Sequence, residues 1–127
     1  MKLEVINRIT FSSSDPNDVI YYGQLLLDEA KSRNNDNYVI KAFRGLGLGF
    51  RKKGELEVSL KFFFQAAQLS NELDNQYELA VTLTEIATTY IQNKDSKNAL
   101  RYDSKAIEVH RKIGNKKNLA ISLLNTG

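Results

Sequence analysis

Residues 43–50 read Phe43-Arg44-Gly45-Leu46-Gly47-Leu48-Gly49-Phe50, and residues 83–90 read Leu83-Thr84-Glu85-Ile86-Ala87-Thr88-Thr89-Tyr90. The second stretch lies one period of about 40 residues beyond the first. Residue size matches place for place: large at Phe43 and Leu83, large at Leu46 and Ile86, small at Gly47 and Ala87, aromatic at Phe50 and Tyr90. The same offset carries Phe62 onto Tyr102, Ala66 onto Ala106, and Leu83 onto Leu123. Within each stretch the matched residues fall on one face of a helix. A fixed period of this length marks stacked supersecondary units, none of which can bury its apolar face alone. The reading is an all-α fold, an antiparallel helix-pair solenoid of about 2.5–3 repeats in 127 residues.

Outward from this stretch, the chain divides into helices and short turns. Residues 2–12 read as a short helix that Ser12-Ser13-Ser14 stops, because serine competes for backbone hydrogen bonds. Asp15-Pro16-Asn17-Asp18 starts the next helix, with Asp15 as cap and Pro16 at the first helical position, and it runs to Arg33. Further helices are expected over 38–53, 55–73 and 77–92, then one ending near Ile113 at the stop Gly114-Asn115, and a last one from Lys116. Turns this short make neighbouring helices antiparallel. Residues 1–127 form one domain, with a degenerate first unit over 1–37, a second over 38–75, a third over 76–115 and a truncated fourth over 116–127. Gly127 falls at the small position of a first helix, so the chain is expected to be part of a longer protein. Leu119, Ile121, Leu123 and Leu124 then lack a covering helix, and self-association through that end is expected.

Composition narrows the function classes. With no cysteine, disulfide frameworks and thiolate metal sites are excluded. No apolar run approaches the roughly 20 residues of a membrane-spanning helix. The net charge of +3 is too small to suggest a nucleic-acid surface, although the basic excess is local, with Lys94, Lys97, Arg101, Lys105, Arg111, Lys112, Lys116 and Lys117 all in the last third. Lys97, Arg101 and Lys105 share one helix face, which reads as a solvated outer face or as a docking stripe for an acidic partner.

The size pattern resembles the tetratricopeptide repeat. That family wants large, large, small, aromatic in the first helix of a pair, then small, aromatic, small in the second. Here these are Phe43, Leu46, Gly47, Phe50 with Ser59, Phe63, Ala66, then Leu83, Ile86, Ala87, Tyr90 with Ala99, Asp103, Ala106. Asp103 departs from the aromatic, with the neighbouring Tyr102 expected to fill its space, and Asn71 and Arg111 replace the family's proline. The period exceeds the family's usual length of about 34 residues. It is similar to a longer variant whose units end in turns such as Leu73-Asp74-Asn75 and Ile113-Gly114-Asn115, followed by Leu79-Ala80 and Leu119-Ala120. The resemblance implies a right-handed superhelix and a setting in the sensory region of a bacterial signalling protein, ahead of a histidine kinase, nucleotide cyclase or DNA-binding output domain. Such arrays lie on either side of a membrane.

By the same resemblance, a ligand groove is lined by first helices, and its positions here are Arg8, Lys41, Arg44, Leu48, Arg51, Lys52, Thr84, Thr88 and Gln92. The basic members favour an acidic peptide or chain carboxylate, although a solvated face is the plainer reading of such a cluster. Leu48 and Glu85 stand where the family's chaperone-tail clamp needs asparagine, so that partner is rejected.

No catalytic, cofactor or metal constellation is expected. His110 has no second histidine or cysteine to share a metal, and Gly45-Leu46-Gly47-Leu48-Gly49 lies inside a helix and lacks the Lys-Ser/Thr ending of a phosphate loop. Packing accounts for Gly47, while Gly45 and Gly49 fit either a bend or the close approach of a ligand. In Phe62-Phe63-Phe64, Phe62 and Phe63 match core positions, and Phe64 is left for a neighbouring unit or a partner. The reading is a non-catalytic protein-interaction module. Its alternative is an assembly element acting through the array ends.

Overall fold

The structure, a computed structural model, describes the backbone of residues 2–126 and the side chains of residues 2–114. It is all-α, with α1 (Leu3–Ser12), α2 (Pro16–Ser32), α3 (Asp36–Lys52), α4 (Leu56–Glu72), α5 (Gln76–Gln92) and α6 (Ser96–Thr126). α2 to α5 are each 17 residues long.

One device ends a helix four times. Asn34, Gly54, Asp74 and Lys94 all take a left-handed backbone, with φ of 53°, 86°, 53° and 59°. At each, the residue's own N–H bonds back to the carbonyl three positions earlier, and the next N–H reaches five back, as in Asn34 to Lys31 at 3.1 Å and Asn35 to Ala30 at 2.8 Å. This paired closure satisfies carbonyls that a helix end leaves without partners. At three of the four turns the next residue then caps the following helix with its side chain: Asn35 accepts from Tyr38 N–H, Asn75 from Glu78 N–H, and Asp95 from Asn98 N–H, whereas Glu55 makes no such bond. The four turns are evenly spaced, at half the repeat period, so the helices between them come out equal in length. The expected Asp15 cap is present, accepting from Asn17 N–H at 2.9 Å.

Gly114 falls on the next step of this spacing, and there the expectation of a stop fails. α6 runs on through Gly114 and Asn115. A glycine permits the left-handed turn without imposing it, and keeping it helical costs only about 1 kcal/mol against alanine. The side chains of Leu119, Ile121, Leu123 and Leu124, expected to form an uncovered face, lie outside the described residues.

Successive helices pack as antiparallel neighbours. α1 also meets α3, and α3 meets α5, whereas α2, α4 and α6 do not approach one another as closely among the described residues. The odd-numbered helices therefore form a tight row, and the even-numbered row is splayed.

The splayed side is filled by rings. Phe50 stacks on Phe62 at 5.6 Å between centroids, and at the matching places of the next unit Tyr90 stacks on Tyr102 at the same 5.6 Å. Tyr102 thus repeats Phe62 rather than filling the place of Phe63. Phe64 is half-buried against Tyr102 of the next pair, which settles its role in favour of a neighbouring unit.

Glycine makes α3 the helix on which others close. A Cβ on Gly45 would stand 2.7 Å from Thr10 Cγ2, one on Gly47 2.7 Å from the Phe63 ring, and one on Gly49 2.7 Å from Ile20 Cγ1. What approaches Gly45 and Gly49 is α1 and α2 of the protein itself. Two core clusters result. The first joins Leu3, Ile6, Leu26 and Leu46, and the second joins Phe63, Leu83, Ile86 and Ala106.

Candidate functional site

The residues expected to line a groove sit mostly on α3 and α5. On α3, Lys41, Arg44, Leu48 and Arg51 are spaced by three, four and three, so they form one stripe. On α5, Glu78, Thr82, Glu85 and Thr89 are spaced by four, three and four and form a second. The meeting of α3 and α5 brings residues of the two stripes together.

Lys41 donates from Nζ to Glu78 Oε1 at 2.8 Å, and Arg44 Nε lies 3.3 Å from Glu78 Oε2 as an ion pair without a hydrogen bond. Glu78 is only 3% exposed, so its charge is held inside the fold by two cations. Arg44 also lays its guanidinium over the Phe11 ring of α1 at 4.6 Å, which ties three odd-numbered helices together. Two turns further along each stripe the arrangement recurs: Arg51 Nη1 lies 2.6 Å from Glu85 Oε2 and also reaches the Glu85 carbonyl at 3.3 Å. Removing a charge from water is costly unless a partner replaces the lost hydration, and here carboxylates do so.

The remaining candidates differ. Leu48 is half-buried against the second core cluster. Lys52 donates to the Ser13 carbonyl at 3.3 Å, and Arg8 pairs with Glu4 at 3.0 Å on an exposed face, where such a pair contributes at most about 1 kcal/mol. Thr84, Thr88 and Gln92 are exposed on α5. Both threonine hydroxyls donate to the carbonyl four residues earlier, at 3.0 Å, leaving their oxygens free to accept. The structure thus joins Lys41, Arg44 and Arg51 in one ionic seam and leaves Thr84, Thr88 and Gln92 as a neutral exposed ridge. The seam's positive charge is largely neutralised in place.

Glu78 is the residue that composition and repeat matching pass over. Its signal was the polar stripe on α5, where four- and three-residue steps put carboxylates and threonines on the side of a helix that faces other helices. Thr82 and Thr89 are fully buried on that stripe. Thr89 donates to the Glu85 carbonyl at 2.8 Å, and Thr82 Oγ1 has no partner among the described residues.

Elsewhere, Lys97, Arg101 and Lys105 are exposed, with Lys105 Nζ 5.0 Å from the centre of the Tyr102 ring. Burial and the neighbouring Tyr102 raise the Tyr90 phenol above its ordinary pKa. His110 is exposed, and among the described residues no three His, Cys, Asp or Glu side chains are grouped to hold a metal ion. No helix of the described residues is long and apolar enough to cross a membrane. No family model matches the chain, and no curated protein matches it.

Proposed function

We propose that the chain is a protein-interaction module of the tetratricopeptide type, a right-handed array without chemistry of its own. Its setting on this reading is the sensory or regulatory region of a bacterial signalling protein. The observation that carries the reading is repetition: evenly spaced turns of one geometry, and ring stacks matched between successive units. A regular stack of helix pairs offers an extended surface for a partner segment. The partner's contacts fall on Thr84, Thr88 and Gln92 of α5 and on Lys52 of α3, all of them exposed. An acidic partner draws less attraction here than the count of cations suggests, because Lys41, Arg44 and Arg51 already face Glu78 and Glu85.

A second reading, assembly through the array's end, is favoured by one observation. Ile91 and Leu100 are 66% and 68% exposed near the α5–α6 turn, an apolar pair that a further copy or unit would cover.

Site-specific photocrosslinking in the source cell separates the two. A crosslinker at Thr88 is expected to trap a different protein, and Thr84→Arg is expected to abolish that adduct. A crosslinker at Leu100 that traps only the same chain, with none at Thr88, favours assembly. No specific adduct at either position overturns both. Thr88 is the better probe than Arg44, because Arg44→Glu would also break contacts with Glu78 and Phe11.

A further inference from the structure

The splayed row holds two seams that the repeat makes equivalent, and only one of them is filled by the chain. Between α4 and α6, the Phe64 ring leans on Tyr102 with centroids 5.7 Å apart and planes at 56°. Aromatic pairs favour such tilted contacts at roughly 4.5–7 Å. Between α2 and α4, the place of Tyr102 is taken by Phe62, which stacks on Phe50 just as Tyr102 stacks on Tyr90. The place of Phe64, however, is taken by Gln24. Gln24 is exposed and donates from its amide to Asp28 Oδ1 at 3.0 Å.

An open cleft of about 310 Å³ lies in this first seam, walled by Ile20, Leu25, Leu46, Phe50 and Phe62, with Gln24 and Asp28 on its exposed side. A closed apolar cavity of about 150 Å³ already admits benzene, so one ring fits with space to spare. The chemistry at the exposed side is anionic. Asp28 has no lysine or arginine within pairing distance among the described residues, and Lys31 on the same helix points its ammonium at the Phe43 ring, 5.8 Å from its centre.

We propose that the α2–α4 seam is a docking slot for an aromatic side chain of a partner segment that carries a basic residue next to it. The ring takes the place that Phe64 holds in the neighbouring seam, and the cation pairs with Asp28. The slot lies on the even-numbered row of helices, so it does not rest on the groove of α3 and α5.

Two-dimensional amide NMR of the 127-residue chain tests it, with N-acetyl-Phe-Lys-amide as probe. Saturable shifts are expected at Ile20, Gln24, Leu46 and Phe50, with a Kd of roughly 1 mM, the affinity open to a ligand that buries little more than one ring. N-acetyl-Phe-Glu-amide is expected to bind about threefold more weakly or worse, the scale of an exposed charge pair. Gln24→Phe should close the slot and abolish the shifts while the melting temperature holds or rises, and Gln24→Ala should leave binding intact. Asp28→Lys, at an exposed position that leaves the fold unchanged, should reverse the preference between the two peptides. Absence of saturable shifts overturns the proposal. So do equal affinities for the two peptides, undiminished binding by a folded Gln24→Phe, or an unreversed preference in Asp28→Lys.

Discussion

Where α4 carries Phe63, fully buried, α6 carries Asp103, exposed, at the matching place of the next unit. The two helices are otherwise matched: Phe62 and Tyr102 stack on equivalent partners, and Ala66 and Ala106 are both buried. The difference lies in what each helix joins. Phe63 packs on Gly47 of α3 on one side and belongs with Leu83 and Ile86 of α5 on the other, so its ring is the link between two helix pairs. α6 packs along α5, and α4 reaches it through the Phe64 ring against Tyr102, away from Asp103, which is exposed. A polar residue at Asp103 therefore keeps its water and costs nothing. The ring stack recurs in the second and third units, whereas the linking ring is present in α4 and is replaced by an aspartate in α6.

The largest break in this comparison should come from the linking ring. Phe63→Ala is expected to cost about 4 kcal/mol, as for other buried phenylalanines, while Asp103→Ala should stay within about 0.5 kcal/mol. Urea unfolding of the two variants reads the contrast, and similar losses would mean that Phe63 is not the link. Next in size is the ionic seam, a second link between pairs. Glu78→Ala should cost about 3 kcal/mol, because it leaves Lys41 and Arg44 facing each other without their counter-ion. The exposed pair is the control, and Arg8→Ala should move the midpoint by less than about 0.5 kcal/mol.

Overpacking comes third. Ala66→Leu and Ala106→Leu should each cost about 1–3 kcal/mol, with Ala66 the larger because helices flank it on more sides. Thermal melts with equal midpoints for the two would place both alanines in the same surroundings and remove the distinction between inner and outer helix. A smaller effect is expected at the caps. Asn75→Ala removes the acceptor for Glu78 N–H and should cost about 1 kcal/mol, with the loss of helix read by circular dichroism.

The smallest effect is a pH dependence at Asp95. The side-chain hydrogen bond from Asn98, and then that residue's backbone N–H, hold its carboxyl below the ordinary value. A folded pKa below the unfolded one means that the stabilisation is complete above about pH 4 and is lost as pH falls through the lowered folded value. Acid titrations of Asp95→Asn, which keeps an acceptor, should lack this component; an unchanged acid limb would assign it to other carboxylates.

Much of this was legible in the residues. The turn at Asn34, Gly54, Asp74 and Lys94 is a local matter of hydrogen bonds and φ, and the helix bounds follow the sequence reading closely up to α6. Phe64 was legible as surplus to a single helix face. Gly45 and Gly49 were legible as unusual but not explicable, because the groups that fill their missing side chains, Thr10 and Ile20, come from other helices. The groove cations were legible as a cluster. Their partners were not, since Glu78 and Glu85 belong to the following helix pair and meet Lys41, Arg44 and Arg51 only when α5 lies against α3.

Sequence by itself determined that this chain is a run of helices in a regular repeat, with α2 to α5 of equal length, because capping and helical periodicity act over a few residues at a time. It also placed the small and aromatic residues that let the helices pair. Tertiary structure alone decided which charges are neutralised, which rings are neighbours and which seam stays open. The course of α6 through Gly114 was likewise not legible, since a glycine permits a left-handed turn without imposing it.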